Sequence, residues 1–172
     1  MGQAQQTDDT TKAQQNFVEL LKKFDTAMLV TLTSAGAAPH ARPMAVAETS
    51  EDGSIWFITG KDTPKIDEIK ADSQIVAAFA EGKRYLSVNG TAEISRDTKR
   101  IEQVWKESFR AWFKGATDPN IVLLRLRPTE AEYWDNSGLE GVKYALKFAT
   151  AYVTGEKMKG TKDVDIHAKV QL

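Results

Sequence analysis

No cysteine occurs in the 172 residues of the chain. Disulfides, thiolate nucleophiles and sulfur-ligated metal centres are thereby excluded, and the absence fits an expected cytoplasmic location. Histidine is nearly as scarce. Only His40 and His167 are present, at no metal-binding spacing, and both read as surface or strand-edge residues, so no metal site is expected. No apolar run approaches the roughly 20 residues of a membrane span, and the N-terminus shows neither the basic nor the apolar segment of a secretory leader. An excess of one charge is lacking too. With 23 Lys and Arg set against 24 Asp and Glu, all dispersed, the chain has no electrostatic footprint for nucleic acid. The expected partners are a small molecule and a second copy of the chain, with neither nucleic acid nor membrane involved.

Catalytic signatures are missing as well. No Gly-x-Gly-x-x-Gly opens a helix, and Gly60-Lys61 only imitates the end of a phosphate loop, because Ile55 stands where the first loop glycine is required. There is no Gly-x-Ser-x-Gly elbow. Carboxylates are plentiful, yet the sequence pairs none of them for acid–base work. No catalytic residue is assigned, and any chemistry falls to a cofactor.

What is present centres on Ile55 to Lys65. Ile55 to Ile58 is an aromatic and β-branched run of strand length, ended by Gly60. Thr63 is placed to cap a helix from Pro64 to Ala71 that buries only Ile66 and Ile69, with proline at the first helical position. Lys65 then lies at the wrong end of a helix dipole, and Lys61 lies just upstream. Two readings stand: both lysines are solvated, or they and the helix N-terminus hold an anion such as a phosphate. The strand from His40 to Ala47 has a second oddity. Ala41, Pro43, Ala45 and Ala47 share one face, bare enough for something flat, while Arg42 shares the other with Met44 and Val46. Pro43 cannot donate to a ladder and marks an edge or a ligand. Arg42 either snorkels out at the strand end or needs an anionic partner. Asp52-Gly53 is a hairpin signal that joins this strand to the next, bringing Arg42 toward the Thr59–Lys65 turn.

The remaining chain fills in around these strands. Residues 1–12 read as a disordered polar tail and 13–172 as a single domain. Phe17, Leu20, Leu21 and Phe24 mark an amphipathic helix, and Thr26 to Thr33 a strand followed by a Ser34-Ala35-Gly36 turn. Further strands are expected over Ser73 to Ala80 and over Arg84 to Ile94, the latter broken at Gly90 by a bulge or a close backbone approach. Ser95 or Asp97 caps one continuous helix ending at Lys114-Gly115, with Ile101, Val104, Trp105 and Trp112 on its apolar side and Phe109 flanking. Those aromatics read as core, or else as rings presented to a cofactor or partner. Ile121 to Leu126 and Thr129 to Asp135 read as two strands bent at Pro128, with Trp134 as a half-exposed rim residue. A helix from Gly141 to Val153 and a terminal strand from Val164 complete the scheme. Six or seven strands joined mainly by hairpins give an α+β domain built on an antiparallel barrel with peripheral helices.

The order Ala41 to Met44, Asp-Gly hairpin, Trp56 to Thr59, Thr63 to Lys65 resembles the pyridoxamine 5′-phosphate oxidase-like family of FMN-binding split β-barrels, and within it the bacterial general stress protein subgroup. The likeness runs from about Phe17 to Trp134, through Asn89 to Glu93, Trp105 to Phe113 and Glu132 to Trp134. It implies FMN, with FAD as an alternative, in a homodimer whose flavin sites lie at the interface. By that resemblance Arg42 and Lys65 hold the phosphate with support from Lys61 and Thr63. Pro43, Met44, Ala45, Ile58 and Thr59 line the ring and ribityl chain, Tyr85 and Trp134 touch the cofactor, and Trp112 and Phe113 come from the second subunit. Three departures stand out, the first two against vitamin B6 oxidation and the third toward a moderate flavin affinity. Ala47 replaces the lysine for the substrate phosphate, Asp135 to Gly138 replaces an Arg-x-His element, and Pro64 replaces a second basic residue. The chain is then a flavin binder or weak flavin-dependent oxidoreductase. The alternatives are the same barrel with a deazaflavin or haem, or a ligand-free dimeric interaction module.

Overall fold

A computed structural model of the chain describes residues 17–33, 38–135 and 167–171. The helical residues 17–21 (α1) put Phe17, Leu20, Leu21 and, just beyond them, Phe24 into the interior, as their spacing predicts. Strands β1 (Thr26–Thr31), β2 (His40–Thr49) and β3 (Ile55–Gly60) follow, then α2 (Pro64–Ala71), β4 (Gln74–Glu81) and β5 (Arg84–Ser95). After α3 (Thr98–Val104) and a 3₁₀ turn (Glu107–Ala111) come β6 (Ile121–Asp135) and β7 (His167–Gln171). The 1–12 tail, the turn at 34–36, the helix expected over 141–153 and the start of the terminal strand lie outside the described residues.

The sheet runs β3-β2-β1-β4-β5-β6-β7, and pairing of β3 with β6 closes its first six strands into an antiparallel barrel. This is the α+β split barrel expected from the hairpin-joined strands. Asp52-Gly53 makes the β2–β3 turn with Gly53 at φ +78, the left-handed region that glycine enters without cost. Its buried Cα lies so close to Phe17 that a Cβ would sit 3.0 Å from that ring. Inside the barrel Leu29, Ile55, Phe57, Val88, Leu124 and Leu126 are sealed from solvent. A second, smaller cluster packs outside it, where α3 and the 3₁₀ turn bring Ile101, Val104 and Phe109 onto Ala47, Ile58, Ile121 and Leu123. β3 thus has apolar neighbours on both faces, which is why its sequence is a continuous apolar run rather than an alternating one.

Two expectations fail, both for tertiary reasons. Ile121 to Asp135 is one strand, not two bent at Pro128. Pro128 stands opposite Gly90, next to the register shift at Asn89/Gly90, where the ladder is already interrupted and a missing N–H costs little. A Cβ on Gly90 would come within 2.1 Å of the Arg127 carbonyl oxygen, so the bulge is also a close backbone approach. The single helix expected up to Lys114 is instead α3 and a 3₁₀ turn, separated by extended residues Trp105 and Lys106. That break lets Phe109 turn into the same small cluster as Ile101 and Val104, while Trp112 emerges 69% exposed. Among the described residues no helix is long and apolar enough to cross a membrane.

Candidate functional site

The barrel is split where two strands part. β2 pairs with β3 only from Val46 to Thr49, while its N-terminal half pairs with β1 alone among the described residues. β3 meanwhile continues to Gly60 against β6. Pro43 therefore sits at an edge, as its missing N–H requires. Between the parted strands opens a groove of about 500 Å³, within the range of roughly 300–1,000 Å³ typical of small-molecule sites. Pro43, Met44 and Ala45 form one wall and Ile58, Thr59 and Gly60 the other. Thr63 and Lys65 supply the polar part of the lining, and Phe109, Trp112 and Phe113 the aromatic part. A parted pair of strands also presents backbone donors and acceptors to whatever lies between them.

Lys65 is held in place within the polar part. Its Nζ donates to the Thr59 hydroxyl at 3.0 Å, and the Thr59 side chain is itself buried. Partial burial lowers the Lys65 pKa, the charge of Arg42 lowers it further, and Glu68 works the other way. The ammonium is thus a half-desolvated cation placed against the helix dipole, an arrangement that an anion in the groove would relieve. Thr63 occupies the N-cap position of α2, yet its hydroxyl donates to the Gly60 carbonyl at 2.9 Å and leaves the first turn without a side-chain cap. The capping role expected for that hydroxyl is not taken up.

Arg42 has an anionic partner that the sequence reading did not find. Its Nη2 donates to Glu68 Oε2 at 2.8 Å, and its Nη1 donates to the Thr31 hydroxyl. His40 Nδ1 lies 2.9 Å from Glu68 Oε1. Burial acts to raise the Glu68 pKa, but hydrogen bonds from Thr31, His40 and Arg42, together with the Arg42 charge, outweigh it and hold the group at about 2. The guanidinium stays close enough to Lys65 to depress it, though Arg42 is not part of the groove wall. A trace of this was legible: Glu68 follows Lys65 by three residues, one helical turn on the same face. What could not be read was that β1 and β2 would lie under that face.

Of the other sequence-predicted residues, Pro43, Met44, Ala45, Ile58, Thr59, Thr63 and Lys65 come together as expected. Trp112 and Phe113 line the groove of their own chain, where the resemblance implied the second subunit. Lys61 lies outside it, on a polar groove of about 680 Å³ along the far side of α2. Tyr85 and Trp134 face each other across the β5–β6 ladder and do not line the groove of the same chain. Gly60, read as a strand end, and Phe109, read as a core ring or one presented to a cofactor or partner, also belong to the lining.

Comparison with known proteins converges on one family. A family model described as pyridoxamine 5′-phosphate oxidase like matches residues 12–159. General stress protein 26 of Bacillus subtilis (strain 168) is 30% identical over 98 residues, covering 54% of this chain and 68% of that protein. The crystal structure of a general stress FMN/FAD binding protein from the phytopathogen Xanthomonas citri superposes with a TM-score of 0.63 at 32% identity, covering 75% of this chain and 92% of that one. That of general stress protein 26 from Bacillus anthracis str. Sterne gives 0.64 at 23% identity, over 70% and 92%, and speaks to the fold alone. With the model matched over most of its length and the same split barrel in the relatives, the chain belongs to the pyridoxamine 5′-phosphate oxidase-like family.

Proposed function

We propose that this chain is one protomer of a homodimeric, cytoplasmic flavin-binding protein of the general stress type, taking FMN, with FAD as the alternative, in the groove at the barrel split. The observation that carries this reading is Lys65. A half-buried ammonium whose hydrogen-bond partner is a neutral hydroxyl lines a groove that also carries the rings of Phe109, Trp112 and Phe113. A phosphate on a flat, largely apolar ring system matches that lining. Lys65, Thr59 and Thr63 would hold the phosphate end, while Pro43, Ala45 and Ile58 would flank the ring, and Trp112 and Phe113 would exclude water from it. When bound, a flavin supplies one- and two-electron transfer chemistry that the side chains lack. The residues of the chain bind and orient it.

A second copy is supported by the outer barrel face. Met28 pairs with Pro43 on one side and Ala78 on the other, and Val30 likewise with Ala41 and Val76. The result is a small-residue apolar patch on which Met28 is 45% exposed. The patch meets the groove at Pro43, so a copy docked there would abut the flavin and could bring Tyr85 or Trp134 to it. Pyridoxamine phosphate oxidation is not proposed, since Ala47 is buried in the small cluster where a phosphate-binding lysine would be needed.

The rival reading, a ligand-free dimeric interaction module, draws on one observation: Glu68 already neutralises Arg42. Fluorescence titration separates the two. FMN should bind more tightly than riboflavin, and Lys65→Ala should weaken FMN by about 1.5–3 kcal/mol, the worth of a charge-assisted hydrogen bond, with little effect on riboflavin. A protein that ignores FMN and riboflavin alike is the interaction module.

A further inference from the structure

Lys65 and Glu68 stand one turn apart on α2, and Glu68 is only 10% exposed at its side chain. Its two oxygens are fixed by Arg42, Thr31 and His40, with Arg42 at 2.8 Å and His40 at 2.9 Å. A buried carboxylate placed so close to the cations expected to receive a phosphate changes what they can receive. Arg42 and Lys65 bring two positive charges and Glu68 removes one. A phosphomonoester carries about −1.5 to −2 at neutral pH. The pyrophosphate of FAD carries about two charges as well, one on each phosphorus, so either ligand exceeds the single positive charge that remains, whereas riboflavin brings none.

We infer that Glu68 is a specificity-determining residue of the flavin groove: an internal counter-anion that limits the preference of the groove for phosphate-bearing flavins over uncharged riboflavin. The inference rests on the flavin reading above. It assigns a role to a residue that does not line the flavin groove itself and acts through the charge of Arg42 and Lys65.

Titration of the full chain with riboflavin, FMN and FAD at pH 8 tests it, because the ratios of affinities within one variant are insensitive to a general loss of folding. Glu68→Gln keeps an oxygen for Arg42 and Thr31 and removes the charge. The FMN-to-riboflavin and FAD-to-riboflavin affinity ratios should both rise about tenfold or more, as expected when a like charge is taken from beside a buried anion site. Glu68→Asp keeps the charge and should retain the wild-type ratios. Unchanged ratios in Glu68→Gln overturn the inference. So does a selective loss of FMN binding, which would make Glu68 merely a support for Arg42, and so does Glu68→Asp behaving like Glu68→Gln. In each of these cases the wild type still binds flavin and the flavin reading survives. A wild type that binds none of the three ligands removes both.

Discussion

Lys65 occupies a position that a folding argument alone would not choose. It opposes the α2 dipole, loses hydration to the groove and feels the repulsion of Arg42. Replacing it by methionine should stabilise the ligand-free protein by about 0.5–1 kcal/mol, the scale of a misplaced helix-end charge, while reducing FMN affinity. Urea denaturation without and with FMN measures the two opposite effects, the trade expected of a residue kept for binding rather than stability. Glu68 has the opposite character. Its carboxyl sits near 2 in the folded chain against 4.5 without its partners, so it contributes stability above about pH 4.5 that is lost as pH falls through about 2. A depression of this size is worth on the order of 3 kcal/mol at most. Glu68→Gln should therefore be less stable than wild type at neutral pH, with the gap closing as the pH is lowered toward 2 in a series of urea melts.

At the scale of elements, the β5–β6 ladder decides where the barrel can curve. The register shift at Asn89/Gly90, which leaves Thr129 of β6 as the extra residue, and the adjacent Pro128 place two ladder defects at one point, so a fifteen-residue strand accommodates the proline without being broken. Either side of this point β6 pairs with β3 through its first half and with β7 through its second. Gly90→Ala would drive a methyl into the Arg127 carbonyl at 2.1 Å, backbone against backbone, with no side-chain movement able to relieve it. The expected loss is about 3 kcal/mol or more, read from the urea midpoint. The break between α3 and the 3₁₀ turn serves the groove in a similar way. It folds Phe109 inward under the groove and leaves Trp112 at the mouth, where a single straight helix would have presented Trp112 on the buried side with Ile101 and Val104.

Over the whole molecule, closure of β3 onto β6 while β2 stops short of β3's end creates both the barrel and its opening. A fully zipped β2–β3 pair would leave no groove. The apolar outer face of β1, β2 and β4 is continuous with that opening through Pro43, which couples the oligomeric state to the ligand in the proposed dimer. Met28→Glu places a charge at the centre of the face without touching the barrel interior, since Met28 points outward. It should convert the protein from dimer to monomer in sedimentation velocity and weaken FMN binding at the same time. A variant that remains dimeric would move the interface elsewhere on the barrel.

The local elements were legible from residues a few positions apart. The Ile55 run, the Pro64–Ala71 helix with Ile66 and Ile69 inward, the Asp52-Gly53 turn and the Gly90 bulge all follow from periodicity, backbone sterics and missing donors. So did most of the groove wall, because an alternating strand fixes which side chains share a face and Pro43 marks where the ladder stops. The tertiary structure alone decided the rest: β6 unbroken across Pro128, Trp112 exposed, Tyr85 and Trp134 away from the groove of their own chain, and Arg42 neutralised by Glu68. That ion pair joins residues 26 positions apart. Its existence depends on which strands lie beneath α2, a matter settled by the closing of the barrel and by nothing within the helix itself.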